Sequence, residues 1–356
     1  MSALFEPVQV GDLSLPNRVL MAPLGRARAH QVSREPLPSV QTYYVQRASA
    51  GLIISEATHV SADSVSRPGT AAIHSEGQVD AWRKVTEAVH AAGGRIFQQL
   101  FHLGRKADPA RLPSGGLPPA PSAIPARGEF STPEGVRPFP VPRALDANEI
   151  PGLVRDFARA AANSQRAGFD GVEIHGANGF LVDQFLRDGA NRRTDAHGGT
   201  VEKRARFLLD VVDAAIAIFG PGRVGVRLSP HAKADGTDDS APAATFGYAA
   251  AELARRGIAY LHLIEPVSTP AHEQLAPVVR RAFTGPLVLC GGFTGESARR
   301  AISEQRADLI AFGVGYIANP DLVERLRRNA PWNEPDPTTF YSGGDKGYLD
   351  YPFLAP

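Results

Sequence analysis

Cysteine is almost missing from this 356-residue chain: Cys290 stands alone, which excludes a disulfide framework and a cysteine-rich metal site. An excess of one charge is missing too, since 38 Lys and Arg nearly cancel 37 Asp and Glu. Without a basic stripe there is no footprint for nucleic acid or an anionic membrane, so the expected partner is a small molecule. No stretch approaches the roughly 18 apolar residues of a membrane span. The opening MSALFEPVQVGDLSLPNR lacks the charged and then apolar regions of a secretion leader. These absences imply a soluble, cytoplasmic protein without a metal site, and they leave monomer and homodimer equally open.

What is present is alternation. Short apolar, β-branched runs are expected as strands at Val19–Pro23, Leu52–Glu56, Arg95–Leu100, Gly171–His175, Val224–Ser229, Tyr260–Ile264, Leu287–Cys290 and Leu309–Phe312. Helical periodicity fills gaps between them around Val40–Ala50, Val79–Ala92, Glu149–Ala167, Val201–Phe219, Phe246–Arg255, Glu296–Ser303 and Pro320–Arg328. Several of these end at glycine, as at Gly93, Gly168 and Gly257. Eight βα units predict an α/β fold, a closed (β/α)₈ TIM barrel forming one domain over residues 1–356. Phe5–Val10, Gly11-Asp12 and Leu13–Leu15 read as an N-terminal β-hairpin cap closing the barrel bottom. After the third strand, residues 106–145 form a long loop insertion rich in proline and glycine and without a clear period. On a barrel such βα loops build the catalytic face, so this excursion is either an active-site lid or a tolerated surface insertion.

At the strand ends, distinctive strings follow one another. The first strand runs into Ala22-Pro23-Leu24-Gly25-Arg26 and the second into Ser55-Glu56-Ala57-Thr58. The third carries Gln98-Gln99-Leu100-Phe101-His102-Leu103-Gly104-Arg105, and the fourth carries Val172-Glu173-Ile174-His175-Gly176-Ala177-Asn178-Gly179-Phe180-Leu181. Val226-Arg227-Leu228-Ser229-Pro230, Ile317-Ala318-Asn319-Pro320-Asp321-Leu322 and Gly347-Tyr348-Leu349-Asp350-Tyr351-Pro352 complete the series. In order, spacing and context, from Phe5 to Pro352, the chain resembles the old yellow enzyme family of FMN-dependent NAD(P)H ene-reductases.

The resemblance implies FMN as cofactor and NAD(P)H as reductant. Gln99 and Arg227 match contacts to the pyrimidine edge of the flavin ring, where a cation stabilises the anionic reduced form. An ion pair inside the barrel mouth is the alternative for Arg227. Pro23, Leu24 and Ala57 match residues packed close to the ring. Gly291, Gly292 and Gly313, after the seventh and eighth strands, match the phosphate loops, although a glycine pair is often only a turn. His175 and Asn178 match the pair that grips the substrate oxygen, with Phe101 and Tyr348 as further substrate contacts; Tyr348 could equally be packing.

Four positions depart from the family pattern. Gly25 stands where Thr or Cys is usual beside the flavin, and Phe101 where Trp is frequent. Val314 replaces an arginine that pairs with the FMN phosphate, which leaves the tightness of binding open. Phe180 replaces the tyrosine that protonates the substrate's α carbon, and phenylalanine has no proton to give. The expected activity is reduction of activated C=C bonds in enones and nitroalkenes. The alternatives are a redox-neutral flavin-dependent isomerase or cyclase, motivated by Phe180, and a barrel without FMN, motivated by Gly25 and Val314.

Overall fold

All eight expected strands are present in the computed structural model, which describes every residue except 1, 65, 66, 114, 133, 134, 233, 343 and 356. The barrel strands are β1 (Val19–Met21), β2 (Leu52–Ile54), β3 (Ile96–Phe101), β4 (Gly171–Gly176), β5 (Val224–Leu228), β6 (Tyr260–Ile264), β7 (Leu287–Cys290) and β8 (Leu309–Phe312). Each pairs in parallel with the next. Strand β8 returns to β1 through Ile310↔Val19, Ala311↔Leu20 and Phe312↔Met21, so the ring closes and the sheet keeps no free edge there. The chain is thus a (β/α)₈ barrel.

The surrounding helices are α1 (Pro38–Val45), α2 (Glu76–Ala91), α3 (Ile150–Arg166), α4 (Val201–Phe219), α5 (Pro242–Arg255), α6 (Ala276–Ala282), α7 (Gly295–Ser303) and α8 (Leu322–Arg328). Helix α6 has no counterpart in the sequence reading, because two turns are too short to print a period. Short helices Leu181–Leu186 and Val314–Ala318 follow β4 and β8. Local chemistry sets the boundaries: Ser75 caps α2 in a reciprocal box with Gln78.

Side-chain alternation divides the core in two. Val19, Met21, Ile53, Ile96, Leu100, Val172, Ile174, Leu261, Leu263 and Ile310 face outward to the helices. Leu20, Leu52, Ile54, Phe97, Tyr260, Val288, Leu309 and Ala311 fill the barrel interior, where they meet Val10, Leu13 and Leu15 of the hairpin Val8–Val10/Leu13–Leu15. The hairpin therefore plugs the bottom. Gly11 at its turn has φ +54, and a Cβ there would lie 2.1 Å from the Gly222 carbonyl oxygen, so the chains approach too closely for any side chain.

The excursion over 106–145, of which 114, 133 and 134 lie outside the described residues, is less irregular than its composition suggests. It contains the antiparallel hairpin Glu129–Thr132/Gly135–Pro138 and pairs Pro119–Ala120 with Arg143–Ala144. Its base is bolted down: Arg105 donates to the Ile124 carbonyl at 3.2 Å, and Arg193 donates to the carbonyls of Pro121 (3.0 Å) and Leu145 (2.5 Å).

Candidate functional site

The same alternation that packs Phe97, Tyr260 and Val288 inside the barrel places Gln99, Glu173, Arg227, His262 and Cys290 one layer nearer the C-terminal mouth. This layer is polar and buried. Glu173, fully buried, accepts from Gln99 Nε2 at 2.7 Å, His262 Nδ1 at 2.9 Å and the Tyr260 hydroxyl at 3.1 Å. Burial works to raise its carboxyl, but His262, Arg227 and the Gln99 hydrogen bond outweigh it and hold the group below its ordinary value. His262 moves the opposite way: burial opposes its cation, yet Glu173 raises it above the ordinary imidazole value. Burial pushes the Cys290 thiol up, while His262 and Arg227 draw it down by more.

Gln99 and Arg227 in this layer are left uncommitted, and the Nε2 of His262 is likewise buried without a partner. Gln99 spends its amide N–H on Glu173, and its carbonyl oxygen accepts no hydrogen bond among the described residues. Arg227 is 7% exposed and forms no ion pair among them; its one hydrogen bond is a 3.7 Å contact from Nη2 to Cys290 Sγ, and its Nε is buried without a partner. The expected alternative of an ion pair for Arg227 is not what the structure shows. A buried guanidinium this poorly satisfied is costly unless something anionic or carbonyl-bearing completes it.

Above this layer His175, Asn178, Phe180, Phe101 and Lys106 gather at the ends of β3 and β4. Phe180 packs edge-on against His175 (4.9 Å between ring centres) and Phe101 (5.2 Å). His175 Nδ1 is buried without a partner. Burial, reinforced by Arg227, His262 and Lys106, holds the imidazole well below its ordinary value, so it is neutral at pH 7. Asn178 sits in the left-handed region (φ +57) with its N–H fixed on Ser229 Oγ at 2.8 Å, while its side-chain amide has no partner among the described residues. Strain of this kind in a non-glycine residue marks an imposed orientation.

Around the mouth, Pro23 and Leu24 are half-buried, and a Cβ built on Gly25 meets nothing within 4 Å. Ala57 packs on the Phe101 cluster. In the loops after β7 and β8, the N–H groups of Gly292, Phe293 and Gly313 have no acceptor among the described residues. Gly291 has φ +149, and a Cβ there would stand 2.2 Å from the Glu265 carbonyl oxygen, so this loop requires glycine. Val314 is half-exposed beside Gly313.

Tyr348, the remaining expected substrate contact, packs apart from this cluster. It is 1% exposed, stacked on Tyr43 at 4.2 Å, with the Arg26 and Arg28 guanidiniums 5.1 and 4.7 Å from its ring centre. Lys106, Glu173, His262 and Cys290 were missed; a period-two count back from His175 would have flagged Glu173 as inward-facing. Among the described residues, no three His, Cys, Asp or Glu side chains are grouped to hold a metal ion, and no helix is long and apolar enough to cross a membrane.

A barrel with this mouth matches known proteins along its length. Residues 3–333 match the NADH:flavin oxidoreductase / NADH oxidase family. The chain is 41% identical to a probable flavin mononucleotide-dependent alkene reductase of Leishmania infantum, over 99% of this chain and 97% of that protein. It is also 41% identical to 12-oxophytodienoate reductase 2 of Arabidopsis thaliana, over 99% and 96%. Morphinone reductase in complex with tetrahydroNAD superposes with a TM-score of 0.95 at 49% identity, covering 100% of this chain and 98% of that one. The chain belongs to the NADH:flavin oxidoreductase / NADH oxidase family, the old yellow enzymes. It is an FMN-dependent oxidoreductase of that class, with NAD(P)H as reductant.

Proposed function

We propose that this protein reduces activated C=C bonds, in enones and nitroalkenes, with FMN seated across the strand ends. The observation that carries this reading is Arg227, a buried cation that forms no ion pair among the described residues, set beside the uncommitted carbonyl of Gln99. A flavin's pyrimidine edge offers the complementary set: carbonyl oxygens for the guanidinium and a ring N–H for the Gln99 oxygen. The residues therefore fit FMN. Pro23, Leu24 and Ala57 supply apolar contact to the ring, and Gly25 leaves open space beside it. Gly291 lets the chain turn so that the free N–H groups of Gly292 and Gly313 receive the phosphate, while Val314 adds no charge.

The chemistry FMN supplies when bound is hydride transfer, from NAD(P)H to the β carbon of the alkene. His175, kept neutral, and Asn178, held rigid, donate to the substrate's carbonyl or nitro oxygen, where negative charge grows during that transfer. Phe101 and Phe180 wall the space and keep water out. The excursion over 106–145, fixed at its base, forms a rim whose exposed strand Gly135–Pro138 serves as the lid. The redox-neutral alternative and the flavin-free barrel are not favoured, since the 41%-identical relatives are a probable flavin mononucleotide-dependent alkene reductase and a 12-oxophytodienoate reductase.

The test is a phenol titration of FMN-loaded protein. A para-substituted phenol should bind as phenolate on His175 and Asn178 and produce a long-wavelength charge-transfer band, which the double substitution His175→Ala/Asn178→Ala abolishes. A band that survives in the double variant would place the oxygen site elsewhere.

A further inference from the structure

Hydride transfer leaves an electron pair on the substrate's α carbon, and Phe180 has no proton for it. Two titratable groups border the Phe180 ring. His175 is one, but burial and three cationic neighbours hold it neutral, and its remaining N–H is committed to the substrate oxygen. Lys106 is the other. It ends the turn Gly104–Lys106 that follows β3, and its Nζ lies 4.9 Å from the centre of the Phe180 ring and 3.4 Å from the Asn178 carbonyl oxygen.

We propose that Lys106 gives the proton to the α carbon, in place of the hydroxyl that Phe180 lacks. This rests on the alkene-reducing reading above. The ammonium is held where it is needed by an ion pair with Asp235. Asp235 is itself pinned: its φ is +63, and its carbonyl oxygen accepts from the Arg127 N–H at 2.9 Å and Arg105 Nη2 at 2.8 Å. Lys106, Phe180, His175 and Asn178 thus border one space, with the substrate oxygen donors on one side and an ammonium over the phenyl ring. A lysine ammonium has three donors on a flexible four-carbon stem, so it can turn from Asp235 toward the substrate without moving the backbone.

In the step, one Nζ–H bond breaks and its proton forms the new Cα–H bond with the electron pair of the enolate. The lysine is left as a neutral amine. An α C–H of a ketone is a much weaker acid than an ammonium, so the transfer runs downhill. Solvent then returns the proton, since the side chains of Lys106 and Asp235 are 17% and 24% exposed. Nitroalkenes need none of this, because a nitronate is stable enough to leave and take its proton from water.

The experiment compares one enone bearing an α-methyl group with one nitroalkene, in FMN-loaded wild type, Lys106→Met, Lys106→Arg and Lys106→Met/Phe180→Tyr. The expected result is that Lys106→Met slows enone reduction about 10²-fold relative to nitroalkene reduction, the loss typical of a missing general acid. Lys106→Arg retains the charge and an ion pair with Asp235 but holds its proton too tightly to give it, so it is as slow. Adding Phe180→Tyr restores the enone rate. The product is a second readout: wild type yields one configuration at the methyl-bearing carbon, and Lys106→Met yields a mixture, because water protonates from either face. Fast enone reduction in Lys106→Met, wild-type rates in Lys106→Arg, or failure of Phe180→Tyr to rescue would each overturn the assignment. Wild-type protein that reduces neither alkene overturns the proposed function instead, so the two failures are separable.

Discussion

Replacing Glu173 by Gln keeps the volume and removes one charge from the centre of the barrel mouth. The carboxylate accepts from three donors, Gln99 Nε2 on one oxygen and His262 Nδ1 with Tyr260 on the other. An amide has only one oxygen, so whichever way the introduced side chain turns, an N–H faces a donor. Either Gln99 flips and presents its NH₂ to the mouth, or His262 and Tyr260 must rearrange. Charge-assisted bonds worth about 1.5–3 kcal/mol fall to neutral ones of about 0.5–1.5, so the net cost is roughly 2–4 kcal/mol. FMN affinity should fall by about 5–10-fold, the worth of one misdirected hydrogen bond. The pH dependence has a defined sign. Glu173 is depressed, so its contribution is present above the unfolded carboxylate value and lost as pH falls through the lower folded one. His262 is raised, so its contribution is complete below the unfolded imidazole value and lost as pH climbs through the higher folded one. The stability gap between wild type and Glu173→Gln is therefore widest between about pH 4.3 and 6.5 and shrinks above it. Urea unfolding of FMN-stripped protein, followed by circular dichroism across that range, measures the gap. A difference below about 0.5 kcal/mol, or one that stays constant to high pH, would refute the reasoning.

Three further outcomes follow from the site. Val314→Arg puts a cation beside the Gly313 loop and should tighten FMN about 10-fold by fluorescence titration; the half-exposed position trims the full charge-assisted value. Gly291→Ala forces a Cβ against the Glu265 carbonyl and should cost at least about 2 kcal/mol of unfolding stability together with most FMN binding; retention of both would show that the loop can relax. Burial pushes the Glu56 carboxyl up to about 8 despite the Arg26 and Arg28 cations, so the folded chain holds this proton more tightly than the unfolded chain does. Stability should then fall by roughly 1 kcal/mol per unit as pH rises from the ordinary carboxylate value toward 8, and Glu56→Gln should lack that slope in unfolding curves at pH 5 and 8.

The barrel was legible because its strands are apolar runs that few alternatives can bury, and because βα alternation leaves one closed arrangement. Strand ends at Val19, Leu52 and Val224 fell within a residue or two of expectation. What escaped was whatever depends on neighbours distant in sequence. The surroundings of Tyr348 are one case, since Tyr43, Arg26 and Arg28 reach its ring from more than 300 residues away. Lys106 sits in a stretch without a period, and its place over Phe180 depends on Asp235, 129 residues away. The Glu173–His262 pair was readable in principle, since Glu173 falls on the inward phase of the strand that ends in His175, and His262 on the inward phase of the strand that begins with Tyr260.

The central claim is tested most directly by an anaerobic single turnover. FMN-loaded protein is reduced with one equivalent of NADH or NADPH, which bleaches the yellow flavin absorbance, and is then mixed with a nitroalkene or an enone. Full recovery of the oxidised spectrum, with one reduced C=C bond formed per flavin, is the predicted result. Flavin that stays bleached with both alkenes and reoxidises only when air is admitted would contradict it.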